Sequence, residues 1–573
     1  MKRTVSIERP KIAPGKTLMF AFFAWFILAT MVFPNLNLLV TVFFADGGFS
    51  LEPVNKLLRS ARAMKALRNS FILGPTLSIT VGFIGITLVL ITDYFDIKGS
   101  RILRLGYMTT LIYGGIILVS GYKFIYGTGG YLTNFLTQIF PDMNIRWFQG
   151  FGAVLFVMTF SCTSNHMIFL RNAMRSVDFQ TVEAARNMGA GQFTILRRVV
   201  LPVLLPSLFA VTILTFITGL SALSAPLLVG GTEFQTISPM IRTFADTQSS
   251  KDLAALLSLV LGGATMLLLF FMTRIEKHGF YMSVSKVKTR IVKQKIYNPI
   301  LNVLAHIYAY GLFVIYTLPV VLIVLFSFTS SKAIATRSLD FSALTMENYK
   351  YLLQNVSNYK PFGVSLLYSA VAALIAGVLV ILTARWIHRH RKSLSSTLLE
   401  YSLMIPWLLP TTMIALALMM AFNVQRWYMF NAVLTGTVFI LLIGYVVIKL
   451  PFTLRMTKAA FFSLDNALED AAKNLGAGEI YTFRRVVFPV ILPTVMAIAA
   501  LNFNSLLSDY DMSAFLHHPL NPPLGVQIRS LTNDMNNPNG MALTFVYAVL
   551  LMIIATIVLY LVYGRGGNDK IKE

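Results

Sequence analysis

Long apolar runs, rather than short alternating ones, set the rhythm of this chain. They fall near 17–44, 70–92, 104–126, 148–170, 202–230 and 253–273, then near 299–328, 364–384, 398–422, 431–453, 489–510 and 542–563. At 1.5 Å of rise per residue, about 20 helical residues cross the roughly 30 Å hydrocarbon core of a bilayer. The runs lack period-2 alternation, which argues for helices over barrel strands. The pattern predicts an all-α polytopic membrane protein with about twelve transmembrane helices. The opening MKRTVSIERPKIAPGK leads into an apolar run of about 28 residues, too long for a signal-peptide core. No clear small-x-small cleavage site follows it, so it is expected to be a retained first span.

Residues 45–69 break the pattern. Leu51, Val54, Leu57, Leu58, Ala61, Met64 and Leu67 recur at helical spacing among Lys56, Arg59, Arg62, Lys65 and Arg68. This predicts an amphipathic helix on the outer membrane surface, as a connector or as a contact for an external partner.

Composition agrees with the runs. The 573 residues are 56% hydrophobic and 13% charged, with a mean hydropathy of +0.68. A soluble domain carries about 25% charged residues. The net charge of +24 could suggest nucleic acid, but a dozen apolar runs point to a bilayer instead. With both termini in the cytoplasm, 33 of the 48 Lys and Arg fall to the inner side. That bias is the positive-inside signature. The single Cys162 lies within an apolar run, which excludes a disulfide and a Cys-based metal site. His388 and His390 read as part of a cytoplasmic basic flank, and His517–His518 as an outer loop pair.

The runs divide six and six, and the halves repeat. A shift of 287 residues aligns Ser176–Pro206 with Ser463–Pro493, identical at 16 of 31 positions without a gap. The same register pairs Phe216 with Phe503 and Ser221 with Ser508. An even number of spans keeps the two units parallel. The expected organisation is a first unit at 1–275, a basic cytoplasmic linker at 276–298 and a second unit at 299–573.

The repeated segment is a short capped helix between spans four and five of each unit. Ser176 or Asp178, and Ser463 or Asp465, are suitable N-caps. Glu183 and Asp470 favour the positive end of the helix dipole. Gly189 and Gly476 stand where a left-handed C-cap would end it. Ala184-Ala185 and Ala471-Ala472 keep part of the surface low, suited to seating in a groove of another protein. Arg197-Arg198 and Arg484-Arg485 follow, then prolines that enter the next span at Pro202 and Pro489.

These residues carry a family resemblance. Glu183-Ala184-Ala185, Gly189 and the later Val199-Val200-Leu201-Pro202 resemble the E-A-A-x-x-x-G … I-x-L-P signature of binding-protein-dependent ABC-importer permeases. Asp470-Ala471-Ala472, Gly476 and Val486-Val487-Phe488-Pro489 repeat it, with Asp for Glu, Val for Ile and Phe for Leu. The chain is most similar to fused permeases of the ferric-iron class, with thiamine, polyamine and phosphonate permeases close by. The resemblance implies two parallel six-helix units of the type I importer fold in a bacterial plasma membrane. It implies coupling through Glu183, Ala184, Ala185, Gly189, Asp470, Ala471, Ala472 and Gly476 to two cytoplasmic ATPase subunits or domains. An external binding protein would deliver the solute. The chain has no G-x-x-x-x-G-K-[ST] phosphate loop, so ATP is expected on the partner, with no catalytic, cofactor or metal residues here. A twelve-span secondary transporter would share the span count and the basic linker but not the repeated capped helix. A channel has less support, for want of a filter-like motif.

One asymmetry stands out in the 287 register. Ala222 meets Asp509 and Ser224 meets Asp511, near the outer end of span eleven. Carboxylates at a membrane boundary are costly unless solvated, paired or lining an aqueous path. Ser221, Ser224, Ser508, Asp509 and Asp511 are therefore candidates for an outer gate or substrate path. The alternative is a solvated helix end or a structural pair with a nearby Arg. Hard oxygen donors would suit a ferric or other cationic solute and repel a phosphonate.

Overall fold

The computed structural model describes residues 14–44, 47–111, 115–278, 293–336, 344–390, 393–533 and 537–561. Both expected cytoplasmic tails and most of the linker, 279–292, lie outside the described residues. Among the described residues ten helices are long and apolar enough to span a bilayer: α1 Leu18–Phe43, α2 Ala61–Tyr94, α4 Phe151–Met174, α5 Gln192–Leu220, α6 Gln248–Phe271, α7 Pro299–Ser327, α8 Val356–Arg389, α10 Val438–Phe462, α11 Glu479–Leu507 and α12 Asn539–Leu559. The expected third and ninth spans are broken pairs. α3 comprises Ser100–Leu111 and Gly115–Ile139, and α9 comprises Leu394–Leu408 and Thr411–Ala421, the latter two at 104° to each other. The break in α9 has a local cause. Proline disfavours helical geometry in the residue before it, and Leu409 ahead of Pro410 is extended at φ −111°, ψ 139°.

Contacts at their two ends show that the broken pairs cross the bundle. Arg104, near the start of α3, bonds Asp93 at the end that carries the repeated loops, here the loop end. Beyond the second segment, Gly150 N donates to Val229 O at the far end. Likewise Glu400 in α9 pairs with Lys458 near the loop end, while Arg426 reaches Asn37 at the far end. Among the described residues this gives ten continuous helices and two broken ones, six in each expected unit.

Two boundaries differ from expectation for a physical reason. α5 and α11 begin ten residues before Pro202 and Pro489 rather than at them. A proline ring clashes with the carbonyl four residues earlier in a regular helix. Here that carbonyl lies in a wider π-helical turn, Leu196–Val200 in α5 and Phe483–Val487 in α11. α1 repeats the device, with Leu28–Val32 before Pro34. The expected amphipathic helix is also divided. Glu52–Arg59 is a separate short helix, whereas Ala61 onward forms the first turns of α2, capped by Ser60 accepting from Ala63 N at 3.3 Å.

The duplication extends to individual hydrogen bonds. Ile237 N donates to Ser70 Oγ at 2.9 Å, and the equivalent Leu524 N donates to Ser365 Oγ at 2.7 Å. The units also exchange their first helices. α1 packs on Thr411–Ala421 of the second unit, and α7 packs on both segments of α3 in the first. Tyr107 donates to Ala309 O at 2.7 Å, and Trp25 donates to Tyr428 O at 2.9 Å. Gly106 makes room for this crossing, since a Cβ there would lie 2.3 Å from the Phe313 ring.

Candidate functional site

At the loop end the two repeated helices are built alike. Phe179–Asn187 is capped by Asp178, which accepts from Gln180 N at 2.9 Å. Asn466–Asn474 is capped by Asp465, which accepts from Ala467 N at 2.9 Å. Asp rather than Ser is therefore the N-cap in both. Each C-terminus is a Schellman motif. Gly189 N bonds Arg186 O and Ala190 N bonds Ala185 O, and Gly476 N bonds Lys473 O and Ala477 N bonds Ala472 O. The glycines take φ +84° and +81°, as the left-handed position requires.

Glu183, Ala184, Asp470 and Ala471 are exposed, and Ala185 and Ala472 are half-buried. Two large apolar side chains follow each helix at equivalent positions and stand out from the protein. Met188 and Phe193 are 81% and 74% exposed, and Leu475 and Ile480 are 88% and 84% exposed. Sequence reasoning missed them, although the 287 register pairs them.

The two helices are anchored differently. The first buries Phe179 and Val182, and Arg186 and Gln192 hydrogen-bond Gln294 and Lys295 O at the end of the linker. The second has Glu469 where the first has Val182. Glu469 pairs with Arg389 at 3.1 Å, and Arg389 also reaches Glu479 at 3.1 Å. Nearby, Asp93 is 5% exposed and accepts from Arg104 at 3.2 Å and Arg171 at 3.1 Å. This knot ties α2, α3 and α4 together beneath the first loop.

Between the loop end and the far end, α5 and α11 each expose two opposite faces. One carries Ser207, Ala210, Leu214, Thr218 and Ser221 in α5 and its cap, matched by Thr494, Ala497, Leu501, Ser505 and Ser508 in α11 and its cap. At 100° per residue these positions form one narrow stripe of mostly small or hydroxyl side chains. About 180° away lie the bulkier Phe209, and Leu492, Met496 and Phe503. Bulky apolar chains suit lipid, and the small polar stripe suits an aqueous path.

At the far end the stripes converge. Ser224 Oγ donates to Asp511 Oδ1 at 3.3 Å. These two residues are equivalent in the 287 register, so a pseudo-two-fold axis relating the units passes between them. Asp509 is placed otherwise. Its Oδ2 accepts from Met512 N at 3.2 Å and Ser513 N at 3.1 Å, and it hydrogen-bonds the Tyr445 hydroxyl. Of the expected set, Ser224 and Asp511 meet across the axis, Ser221 and Ser508 cap α5 and α11, and Asp509 holds the next turn of its own chain.

The structure adds a residue that sequence reasoning does not single out. Lys449 lies near the middle of α10, and its ammonium donates to Ser505 Oγ at 2.6 Å. Its counterpart in the register is Cys162. A lone base inside an apolar run, set against a neutral equivalent, was the available signal. Among the described residues no group of three or more His, Cys, Asp or Glu is placed to hold a metal ion.

Comparison with known proteins agrees with this architecture. A family model for the binding-protein-dependent transport system inner membrane component matches residues 21–278 and 369–565. The probable ABC transporter permease protein y4fN of Sinorhizobium fredii is 37% identical over 537 residues, covering 94% of each chain. The ferric transport system permease protein FbpB of Actinobacillus pleuropneumoniae is 24% identical over 494 residues, covering 85% of this chain and 69% of its own. The sulfate transport system permease protein CysT of Salmonella typhimurium is 28% identical over 183 residues, covering 31% of this chain and 66% of its own. The matches fall on both units, and the chain belongs to the inner-membrane components of binding-protein-dependent transport systems, as a multi-pass ABC-importer permease with two permease units fused in one polypeptide.

Proposed function

We propose that the loop end faces the cytoplasm and that each repeated helix seats in one of two ATPase subunits or domains. ATP is bound and hydrolysed there, and the permease carries no catalytic group of its own. A binding protein delivers the solute to the far end. Movement of the ATPases is passed through Phe179–Asn187 and Asn466–Asn474 into α5 and α11. The path then alternates between a closed far end at Ser224 and Asp511 and an open one, by rigid-body motion about the axis. The chain lies in a bacterial inner membrane with both termini in the cytoplasm. The single observation that carries this reading is the matched docking pad. Two identically capped helices present Met188 with Phe193 and Leu475 with Ile480 to the outside at one end of the bundle. Ferric iron is the cargo best supported by resemblance, because the match to the ferric permease runs over 85% of the chain.

The test is a charge placed on each pad. Met188→Asp together with Leu475→Asp is expected to leave permease abundance normal while abolishing ATPase co-purification and uptake. Undiminished co-purification and uptake in the double variant would overturn the docking assignment. Orientation is tested separately by cysteines placed in 279–292 in a Cys162→Ser background. They are expected to resist an impermeant thiol reagent in intact cells, and their labelling would reverse the topology.

A further inference from the structure

We propose that the solute passes α10 and α11 as an anion, recognised by Lys449 and Ser505 on one side of the path. The proposal rests on the transport reading above and names the substrate chemistry of that path. Lys449 stands eleven residues from Val438 and thirteen from Phe462, which puts its backbone about 16 Å into the helix. An ammonium at that depth is costly unless it meets water, a counter-ion or a ligand. Its hydrogen-bond partner is neutral. Among the described residues no carboxylate oxygen makes a salt bridge with it, and the Asp509 charge acts on it only from farther off. Ser505 is exposed on the small, hydroxyl-bearing face of α11, on the same stripe as Ser508, three residues before the axial Asp511. The ammonium therefore reaches the path. It has three N–H donors, of which Ser505 takes one.

Three further observations favour an anion over a bare cation. Asp509, the nearest acid in sequence to Ser505, gives one oxygen to two backbone N–H groups and bonds Tyr445, so its charge, which also acts on Lys449, is already shared. Asp511 is engaged by Ser224 of the other unit. No cage of carboxylates and imidazoles exists among the described residues to coordinate a naked metal ion. In the first unit, Cys162, Thr218 and Ala222 replace Lys449, Ser505 and Asp509, so the positive point is confined to the second unit. The ligand chemistry is an oxyanion, either free or as the ligand shell of a metal ion.

The test reads local charge without ATPase, binding protein or transport. Ser505→Cys and, separately, Thr218→Cys are made in a Cys162→Ser background, and the purified permease is treated with methanethiosulfonates bearing a sulfonate or a trimethylammonium group. Relative to Thr218→Cys, Ser505→Cys is expected to favour the anionic reagent by about tenfold, as one unit charge a few Å away would give in a watery site. Lys449→Gln should abolish that preference, and Lys449→Arg should keep it, which separates charge from folding. Equal rates, or preference for the cationic reagent, would show that Asp509 dominates and would overturn the proposal. So would an unreactive Ser505→Cys beside a reactive Thr218→Cys. Inorganic sulfate, inorganic phosphate and ferric citrate are then tested for protection of Ser505→Cys. Protection by the free oxyanions supports a free anion, and protection by ferric citrate alone supports a liganded metal. Protection by none of them counts against a substrate role. Because loss of ATPase binding leaves these rates untouched, failure here is distinct from failure of the transport reading.

Discussion

Asp509 and Asp511 are two residues apart and do different work. Asp509 accepts from backbone N–H groups and fixes a turn, whereas Asp511 meets Ser224 at the axis. Burial, reinforced by the Asp509 charge, pushes the Asp511 carboxyl up to about 7, and the Ser224 hydrogen bond opposes that rise. In an open, solvated far end the carboxyl would return to about 4. If the far end opens and closes as proposed, closure takes up a proton. It is favoured as pH falls through 7 and weakened as pH rises above it. Far-side modification of Ser221→Cys in proteoliposomes, corrected for thiolate fraction, is expected to slow severalfold between about pH 8 and pH 6. Asp511→Asn should remove the dependence, and its persistence in that variant would place the titrating group elsewhere.

Among the elements, the two repeated loop helices owe their length to their ends. Neither is long enough to be stable alone, since isolated helices under about 12 residues are marginal in water. Asp465 and Gly476 close the second one from both sides. A Cβ at Gly476 would meet nothing within 4 Å, so Gly476→Ala tests the φ of +81° alone. The expected cost is about 1 kcal/mol, read as faster hydrogen exchange over 466–474 and weaker coupling of ATP hydrolysis to uptake. Gly478 is equally uncrowded but sits at φ −69°, where any residue is comfortable. Gly478→Ala should leave both measurements unchanged. Equal effects at the two positions would remove the left-handed cap as the cause. The π turns before Pro202 and Pro489 serve the same region, letting α5 and α11 run past a proline into the loop.

At the scale of the whole molecule, each unit packs its first helix on the other. α1 lies against α9 and α7 lies against α3, so each unit completes the other. The Tyr107 to Ala309 and Trp25 to Tyr428 hydrogen bonds cross the two units at separate places. The linker is then expected to supply proximity and correct pairing more than cohesion. A protease site inserted within 279–292 and cut after purification should leave the two fragments co-eluting in mild detergent. Uptake should also survive co-expression of the two halves as separate chains. Dissociation of the cut protein would show that the covalent link, and not the exchanged helices, holds the units together.

Sequence alone determined whatever depends on local or periodic chemistry. Apolar runs located the membrane helices because the bilayer demands about 20 apolar residues wherever a helix crosses. The 287 register revealed the duplication, and Gly189 and Gly476 marked the helix ends because glycine alone takes φ near +80° without strain. The starts of α5 and α11 lie ten residues before the prolines that mark them in the sequence, because a π turn leaves no pattern of its own in hydropathy. Tertiary structure decided which faces look inward. It brought Ser224 to Asp511 across the axis, turned Asp509 back onto its own backbone, and aimed Lys449 at Ser505 from a neighbouring helix. Those contacts join residues far apart in the chain or depend on the direction a side chain takes. Their energies depend on what each buried group meets, and the linear order of residues does not carry that information.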